Sequence, residues 1–314
     1  MSLRVVRGWQ GVAPADRGAS VAFGAFDGVH LGHRQVIAAA ADAARDLGAP
    51  LGVVSFDPHP GRWFRPQTPP FMLATLDQGQ AQFEALGVEI LYYLTLDEAL
   101  ANMGAEAFAR EVLVQGWGVR HVAIGFDFLF GKGREGDAQT LRRLGETLGF
   151  GVSVVARVDD PAGEKLSSTA VRQAVAAGEM ERAAAILGRP FAIAGEVRRG
   201  QGLGRELGFP TANVALGDYV RPRLGVYATR TRLADGRTVD GVASLGTNPT
   251  TGLVEPRLEV WLLDFDEDLY GQTIETDLVA FIRPEERFGS LEELKAAVAA
   301  DAVRARKILA LTTQ

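Results

Sequence analysis

The chain of 314 residues contains no cysteine and has only four histidines and four lysines. The absence of cysteine excludes disulfides, thiol nucleophiles, zinc fingers and iron–sulfur clusters. None of the lysines stands in a Gly-Lys-Ser/Thr sequence, since Lys132 is followed by Gly133, so a Walker A phosphate loop is absent. Any chemistry on phosphate groups must therefore use another device.

Charge and hydropathy exclude two further classes of protein. No stretch reaches about 18 consecutive apolar residues, the length that a membrane-spanning helix needs, and the first residues lack the apolar region of a signal peptide. The net charge is −6, from 33 Lys and Arg against 39 Asp and Glu, whereas a protein that coats nucleic acid carries a basic surface. We expect a cytoplasmic monomer or weak homo-oligomer with small-molecule partners, and neither a membrane nor a nucleic-acid partner.

The pattern of apolar residues predicts two domains, 1–186 and 187–314. In the first, strands alternate with helices, which indicates a parallel sheet covered on both faces. The strands are expected at 19–25, 51–56, 88–94, 120–125 and 152–156, and the helices at 33–47, 77–86, 104–115, 138–148, 168–177 and 179–187.

Beyond residue 186 the segments are short, extended and separated by turn residues, which predicts an antiparallel sandwich or barrel. These segments lie at 191–197, 225–233, 241–245, 258–265 and 276–282. One helix ends the chain, from about Ser290 to Leu311, and Ser290 with Glu293 forms a capping box at its start.

The stretch GAFDGVHLGH, residues 24–33, joins the first predicted strand to the first helix. In a parallel sheet this junction lies at the carboxyl end of a strand, where ligands bind. His30 and His33 are three residues apart and are expected to face the same side. With the helix N-terminus they could hold phosphate oxygens while charge develops in a transition state. The alternatives are a glycine-rich turn with two surface histidines, or a zinc site completed by His59 or an aspartate.

Two other stretches of the first domain could belong to the same site as this junction. SFDPHP, residues 55–60, follows the second strand at the same edge of the sheet, and its prolines stiffen the loop. It is either a stiff turn or a wall for a second substrate. LSSTAVR, residues 166–172, begins a helix that one of its hydroxyl residues would cap, with Arg172 one turn further on. It is either an anion site or an ordinary helix cap with a solvated arginine.

Residues 131–136, GKGREG, match the G-x-G-x-x-G pattern of dinucleotide-binding loops, and an aspartate pair follows about 20 residues later. However, GFDFLF separates the preceding strand from the glycines, and charged residues occupy the x positions. A nicotinamide or flavin dehydrogenase is therefore the weaker interpretation, although Lys132 and Arg134 could contact phosphate from a mobile loop.

The second domain contains GEVRRGQGLGRELGFPTANV, residues 195–214, a glycine-rich stretch that could fold over phosphates. Thr211 and Asn213 alternate on an extended segment and therefore share a face, and both offer oxygen atoms suited to Mg²⁺. Glu259 lies in the apolar strand LEVWLLDF, where burial of a carboxylate is costly. It is either a general base for a hydroxyl nucleophile or the partner of an arginine in a salt bridge.

Together these motifs resemble the bacterial bifunctional riboflavin kinase/FAD synthetase family, over essentially the whole chain and in the same order. The resemblance is carried by GAFDGVHLGH, SFDPHP, GFDFLFGKGREGD and LSSTAVR, and then by GQGLGRELGFPTAN, LGVYA, LEVWLLDFDEDLYG and FIRPEERFGSLEELK. It implies an N-terminal Rossmann-like nucleotidyltransferase domain and a C-terminal antiparallel β-barrel riboflavin kinase domain with a terminal helix. It also implies two reactions: ATP phosphorylates riboflavin to FMN, and ATP adenylylates FMN to FAD with release of pyrophosphate.

The resemblance further implies roles for particular residues of this chain. His30, His33 and Glu259 would be catalytic, with Glu259 as the base of the kinase reaction, and Thr211 and Asn213 would bind Mg²⁺. The flavin would contact Pro58, Pro60, Phe64 and Arg283. ATP would be bound by Gly24, Phe26, Asp27, Gly32, Asp127, Ser167, Ser168, Thr169 and Arg172 in the first domain and by Gly202 and Gly204 in the second.

Three positions depart from the residues usual in that family: Trp261, Leu129 and Thr251. Besides the dehydrogenase, two alternatives remain open. One is an FMN adenylyltransferase whose barrel only binds flavin, and the other is a flavin carrier without catalytic activity. The PTAN sequence together with Glu259 favours activity in the barrel.

Overall fold

The computed structural model describes residues 2–160, 163–200, 204, 208–246 and 256–312. The chain forms two compact units, one made of Met1–Thr68 and Leu76–Ser167, and the other of Pro69–Thr75 and Ser168–Gln314. The domain boundary predicted between residues 186 and 187 stays a prediction.

The first unit is built on a parallel sheet of six strands in the order β1-β4-β3-β2-β5-β6. Short apolar runs form strands that are buried on both faces, as a covered parallel sheet requires. The order reverses at β2, which has β3 on one side and β5 on the other. The strands are β1 (Arg4–Arg7), β2 (Ser20–Phe23), β3 (Leu51–Asp57), β4 (Ile90–Thr95), β5 (His121–Gly125) and β6 (Gly151–Val155).

Helices cover both faces of this sheet. Ile37 and Phe83, from two helices, pack on one face, and Leu113 and Leu141, from two other segments, pack on the other. The predicted Rossmann-like arrangement is therefore confirmed. The helices are α1 (Leu31–Leu47), α2 (Pro60–Phe64), α3 (Leu76–Ala85), α4 (Glu98–Ala101), α5 (Ala105–Ala107) and α6 (Ala138–Leu148), and α5 continues as a π-helical segment, Phe108–Gly116.

The second unit contains a closed antiparallel barrel in the order β10-β11-β8-β7-β12-β9. Alternation along β11 buries Leu258, Val260 and Leu262 and leaves Glu259 exposed between them. Of the two predicted arrangements, sandwich or barrel, the closed strand order shows that the barrel is correct. Its strands are β7 (Phe191–Arg198), β8 (Ala212–Ala215), β9 (Gly225–Arg232), β10 (Thr238–Gly246), β11 (Arg257–Leu262) and β12 (Thr273–Arg283), and helices α7 (Ser168–Ala177) and α8 (Met180–Leu187) precede it.

The terminal helix α9 (Leu291–Leu311) packs on the barrel through Ala305 and Leu309. As predicted, the Ser290 hydroxyl accepts the backbone N–H of Glu293, at 3.2 Å. The Glu293 carboxylate accepts the N–H of Gly289, at 2.8 Å, one residue before the cap. The predicted helix is confirmed, with its capping box displaced by one residue.

Several elements differ from the sequence-based expectation. The short strand β1 was not expected, and it pairs with β4 at the edge of the sheet. The helix expected at 104–115 is largely π-helical. The strand expected to reach residue 265 ends at Leu262, shortly before Asp264 takes a positive φ of 56°. No helix in the described ranges is both long and apolar enough to cross a membrane.

Candidate functional site

The point where the strand order reverses is where ligands bind in sheets of this type. The segment after β2 contains His30 and His33, and the segment after β5 contains Asp127. Both segments therefore leave the sheet at its carboxyl edge beside the reversal. Sequence motifs more than 90 residues apart are placed at one edge by the parallel pairing of β2 with β5.

His30 and His33 form a stacked pair, with ring centroids 3.6 Å apart and an interplanar angle of 20°. His30 is the N-cap of α1, and its Nδ1 accepts the N–H of His33 at 3.2 Å. Because Nδ1 is the acceptor, the proton of a neutral His30 lies on Nε2. The prediction that both rings share a side is confirmed. The His30 ring thus takes one N–H of the first helical turn.

The neighbours of this pair fix the two rings. The Phe26 ring meets the His33 ring edge-on, with centroids 5.1 Å apart. A Cβ added to Gly32 would lie only 3.0 Å from Cε1 of His30, so glycine allows the imidazole to lie against the helix backbone. The Phe26 side chain is buried, so its predicted contact with ATP would have to use the backbone. Asp27 is buried as well.

The backbone before the pair is strained. Phe26 and Val29 have φ values of 50° and 42°, and such values are rare for residues with a side chain and rarest for a β-branched one. Gly28 between them has a φ of 79°. The side chains of Phe26 and Val29 are buried, which holds the loop in this conformation. Backbone strain of this kind is typical of functional sites.

A cavity of about 610 Å³ opens beside the carboxyl edge of the sheet. Its wall is an aromatic cluster in which Phe23 lies 5.4 Å from Phe108 and 4.7 Å from Phe128, between ring centroids. Four residues predicted from sequence line it: Gly24, Pro60, Phe64 and Asp127. Pro58, another predicted flavin neighbour, follows a cis peptide bond and is not part of this lining.

Several lining residues were missed by the sequence analysis. The cavity wall includes Phe128 and Phe130 from GFDFLF, and Leu129 between them is 42% exposed. Arg65, also missed, gives the lining a positive charge, and so does Arg134, which the sequence had indicated as a possible phosphate contact. The concentration of phenylalanines in FDFLF was the available signal.

The carboxylate of Asp127 pairs with Lys165, whose ammonium lies 4.8 Å from the centre of the Phe126 ring. Asp127 therefore contributes little net negative charge at the cavity. Ser167 ends the first unit, while α7 of the second unit begins at Ser168. The Arg172 side chain donates to the carbonyl of Phe71 at 2.8 Å. Binding of ATP by Ser167, Ser168, Thr169 and Arg172 stays a prediction.

The loop GKGREG is anchored at its base. The Lys132 N–H donates to the carbonyl of Met103, and the Glu135 carboxylate accepts the N–H of Ala105, both at 2.8 Å. A Cβ on Gly131 would lie 2.7 Å from the backbone of Ala105. Gly131 therefore serves packing within the protein, whereas an added Cβ at Gly133 would meet no atom within 4 Å. The loop that was expected to be mobile is attached at its base to Met103 and Ala105.

The same loop does not build a dinucleotide site. At the start of α6 the Asp137 carboxylate accepts the N–H of Thr140 at 2.8 Å, and this hydrogen bond lowers the pKa of Asp137 below its ordinary value. An ionised carboxylate thus occupies the helix terminus at which the pyrophosphate of a dinucleotide would lie. This arrangement counts against the dehydrogenase interpretation.

The other two histidines have structural roles. Nδ1 of His59 caps the short helix α2 by accepting the N–H of Gly61 at 3.0 Å. His121 is buried, with Nδ1 3.2 Å from the hydroxyl of Ser20 and Nε2 3.0 Å from that of Ser153. Within the described ranges, no group of three or more His, Asp or Glu side chains could hold a metal ion. The zinc alternative therefore finds no support there.

The second candidate site lies on the barrel. Asn213 of β8 and Glu259 of β11 occupy directly opposite positions in the antiparallel register, so their side chains share a face. Thr211 and Asn213 line a cavity of about 330 Å³ together with Ala212 between them, so their alternation toward one face stays a prediction. Val260 and Leu262 of β11 line this cavity, and Glu259 between Leu258 and Val260 does not. The amide nitrogen of Asn213 donates to the Thr211 carbonyl at 3.4 Å, and this leaves the amide oxygen as a potential ligand.

Glycines shape this second cavity. A Cβ added to Gly200 would lie 2.6 to 2.7 Å from the amide atoms of Asn213. A Cβ on Gly204 would lie 2.6 Å from the carbonyl of Phe209 and 3.3 Å from Oγ1 of Thr211. Both glycines line the cavity. Gly200 was missed from the sequence, and Gly202 lies outside the described residues.

The environment of Glu259 suits a base. Although the side chain reaches solvent, partial desolvation against the barrel raises the pKa of its carboxyl, and Arg257 opposes this to a smaller extent. No arginine forms a salt bridge with Glu259 in the described part of the chain. The salt-bridge alternative for this residue is therefore unsupported there.

Three further residues singled out from the sequence are Arg283, Trp261 and Thr251. Arg283 forms a two-pronged ion pair with Asp301 of α9, at 3.0 and 2.8 Å, and both side chains are largely buried. Its contact with flavin stays a prediction, while its role in attaching α9 is plain. Trp261, one of the unusual residues, packs edge-on against Phe209 with centroids 4.8 Å apart. Thr251 lies outside the described residues.

Comparison with known proteins identifies the family of this chain. Family models match residues 12–170, as FAD synthetase, and residues 187–309, as riboflavin kinase. The chain is 41% identical over 309 residues to the bifunctional riboflavin kinase/FMN adenylyltransferase of Pseudomonas fluorescens, covering 98% of each chain. It is 39% identical over 311 residues to that of Escherichia coli (strain K12), covering 99% of each. A crystal structure described as a macrolide-efflux protein from Streptococcus pneumoniae has a TM-score of 0.86 and 29% identity, covering 98% of this chain and 99% of that one.

Proposed function

The chain belongs to the family of bifunctional riboflavin kinase/FMN adenylyltransferases, and we propose that its two cavities carry out one reaction each. The chain phosphorylates riboflavin with ATP to FMN and adenylylates FMN with ATP to FAD. The proposal concerns which residues perform each step. It is supported by the separation of the two residue sets, one at the edge of the parallel sheet and one on the barrel.

Adenylylation is assigned to the sheet edge. A phosphate oxygen of FMN forms a bond to the α-phosphorus of ATP, and the bond to the bridging oxygen of the β-phosphate breaks as pyrophosphate leaves. The attacking oxygen is already anionic, so the protein needs to supply position and charge stabilisation rather than a base. Nε2–H of His30 and the stacked ring of His33 are the donors assigned to the transferring phosphates. Their fixed orientation is what such stabilisation requires.

The flavin of this reaction is assigned to the cavity of about 610 Å³. Its aromatic wall suits a flat conjugated ring system, and pockets of this size and apolar character are typical of such ligands. Pro60 and Phe64, predicted to border the flavin, line it. The guanidinium groups of Arg65 and Arg134 give the lining positive charge suited to the phosphate of FMN.

Riboflavin phosphorylation is assigned to the barrel. The Glu259 carboxylate takes the proton of the terminal ribityl hydroxyl as its oxygen forms a bond to the γ-phosphorus of ATP, and ADP leaves with the electrons of the broken bond. A raised pKa makes the ionised form of this carboxylate a stronger base. The opposite placement of Asn213 and Glu259 in the register is the observation that carries this assignment.

The residues around Asn213 fit a Mg²⁺ ion. The Thr211 hydroxyl and the Asn213 amide are neutral oxygen donors, and Mg²⁺ characteristically combines few protein ligands with substrate phosphates. When bound, the ion would neutralise charge on the phosphates of ATP. Gly200 supports this by leaving the Asn213 amide room beside the cavity. The monomeric or weakly associated state and the cytoplasmic location stay predictions.

Product analysis tests the proposal. The protein is incubated with riboflavin, ATP and Mg²⁺, and FMN is separated from FAD over time. We expect FMN to appear first and FAD to follow. If no FMN forms from riboflavin, the assignment of the barrel fails. If FMN accumulates and FAD never forms, the assignment of the sheet edge fails.

A further inference from the structure

The loop that joins β11 to β12 contributes a wall of the barrel cavity. Its residues 265–270 line the same space as Thr211 and Asn213. We call residues 264–270 the acidic loop, because four of its seven residues, Asp264, Asp266, Glu267 and Asp268, are acidic. We assign the ATP of the kinase reaction to this cavity, because Thr211 and Asn213, the residues assigned to Mg²⁺, line it. A loop of this charge beside bound ATP needs side chains that hold it in place and offset its charge.

Arg237, in the turn between β9 and β10, holds the middle of the acidic loop. Its Nη1 and Nη2 each lie 2.7 Å from one oxygen of the Glu267 carboxylate, in a two-pronged pair. Its Nε donates to Asp235 at 2.7 Å, within the same turn. The guanidinium also lies 5.7 Å from the centre of the Phe265 ring. One side chain therefore contacts the loop twice and is itself oriented by a second carboxylate.

Arg306 of α9 holds the start of the loop. Its Nη1 and Nη2 lie 2.8 and 2.9 Å from the two oxygens of Asp264. Asp264 has the positive φ of 56° at which the chain leaves β11. The Arg306 guanidinium lowers the pKa of the Asp264 carboxyl, and Arg237 lowers that of Glu267. Both carboxylates are therefore ionised and neutralised at neutral pH.

The geometry of these ion pairs indicates that they position the acidic loop rather than stabilise the fold as a whole. Their side chains are about half exposed or more, and exposed ion pairs contribute little to the stability of a protein. A planar guanidinium bound to both oxygens of a carboxylate does, however, restrict orientation strongly. Two such pairs from separate elements leave the loop few alternatives to its position against the cavity.

We propose that Arg237 and Arg306 are positioning residues of the kinase reaction, which hold the acidic loop as a wall of the ATP cavity and offset two of its four charges. The proposal rests on the assignment of ATP to that cavity. It predicts weaker binding of ATP in the kinase reaction when either arginine is removed. It predicts no change in the adenylylation of FMN, which takes place at the other cavity.

The test measures kcat and KM for ATP in riboflavin phosphorylation by the full chain. Arg237→Ala and Arg306→Ala should each raise KM for ATP about fivefold, a change of the size that such pairs supply, with kcat and FMN adenylylation unchanged. Arg304→Ala is the matched control, because Arg304 lies on the same helix, is exposed and has no side-chain partner among the described residues. The double exchange Asp264→Arg with Arg306→Asp should return KM toward the original value.

The contrary results are equally clear. If both arginine variants match Arg304→Ala, or if adenylylation falls in parallel with phosphorylation, the proposal is overturned. Asn213→Ala separates this failure from a failure of the assignment of ATP. If Asn213→Ala raises KM for ATP while the arginine variants do not, the loop proposal alone fails. If Asn213→Ala also leaves KM unchanged, the cavity is not the ATP site and both fail.

Discussion

Asn213 and Glu259 face each other across the antiparallel pairing of β8 with β11, 46 positions apart in the sequence. This register places the oxygen ligand assigned to Mg²⁺ next to the carboxylate assigned as base. The kinase assignment depends on this one relationship.

The acidity of Glu259 gives a pH prediction for phosphorylation. Desolvation raises the pKa of this carboxyl above 4.5, its ordinary value, and a base must be deprotonated to act. The rate of FMN formation should therefore fall as pH decreases through the raised pKa. Its acid limb should have a midpoint above that of an exposed glutamate. The measurement is kcat/KM for riboflavin between about pH 4.5 and pH 8.

The control for this profile removes the titrating group. In Glu259→Gln the remaining activity should be at least about 100-fold lower, the usual contribution of a general base, and should lose the acid limb. An unchanged acid limb in Glu259→Gln would assign the titration to another group.

Gly200→Ala tests the support of Asn213. The added Cβ would lie 2.6 to 2.7 Å from the amide atoms, so the amide must move. We expect the Mg²⁺ concentration that gives half-maximal riboflavin phosphorylation to rise several-fold. A small displacement of the Asn213 amide should raise it by no more than about tenfold. Adenylylation of FMN by the same variant is the internal control and should be unchanged. An unaltered Mg²⁺ dependence would show that Asn213 is not a ligand of the ion.

Gly32→Ala tests the fixed orientation of the histidine pair. The new Cβ would lie 3.0 Å from Cε1 and 3.1 Å from Nδ1 of His30, which displaces the ring by a few tenths of an ångström. Alanine favours the helix, so the thermal unfolding midpoint should not fall. The rate of FAD formation should fall at least about tenfold, since small misplacements of catalytic groups are costly.

Gly79→Ala is the matched control for that variant. Gly79 lies in α3, and no atom lies within 4 Å of the position of an added Cβ. This substitution should leave FAD formation unchanged. Equal activity of Gly32→Ala and Gly79→Ala would contradict the role assigned to the His30 ring.

Some features that depend on residues close together in the sequence could be predicted, whereas features that depend on residues far apart in the sequence could not. That His30 and His33 face the same side could be predicted from their spacing of three residues. The stacking of their rings could not, because His30 is the N-cap and has an extended backbone. β1 could not, because RVVR is short and mostly exposed and gains its order only from pairing with β4. The π-helical form of Phe108–Gly116 likewise has no signature in the spacing of apolar residues.

Long-range pairings were beyond prediction from the residues alone. The opposition of Asn213 and Glu259 is set by the register of two strands, which no local pattern determines. The ion pair of Arg283 with Asp301 joins a strand to the terminal helix, so Arg283 could be assigned to flavin from its motif without any sign of that partner. Gly200 was missed because its importance lies in the approach of Asn213.

His121 gives a prediction for stability. Burial lowers the pKa of this imidazole below 6.5, its ordinary value, so the unfolded chain binds a proton more readily than the folded one. Stability is therefore fully present above about pH 6.5 and decreases as pH falls toward the lowered pKa. The thermal unfolding midpoint should drop between pH 7.5 and pH 5, and His121→Gln should reduce that drop. His59→Gln is the control and should keep it. An equal drop of the unfolding midpoint in all three proteins would show that His121 does not cause the pH dependence of stability.

The central claim is that two separate sites perform two successive reactions, and product analysis of two variants tests it most directly. From riboflavin, ATP and Mg²⁺, His33→Ala should form FMN at the original rate and at least about 100-fold less FAD, the usual cost of lost transition-state stabilisation. Glu259→Gln should form almost no FMN from riboflavin and yet convert added FMN to FAD at the original rate. Parallel loss of both reactions in either variant would contradict the two-site account.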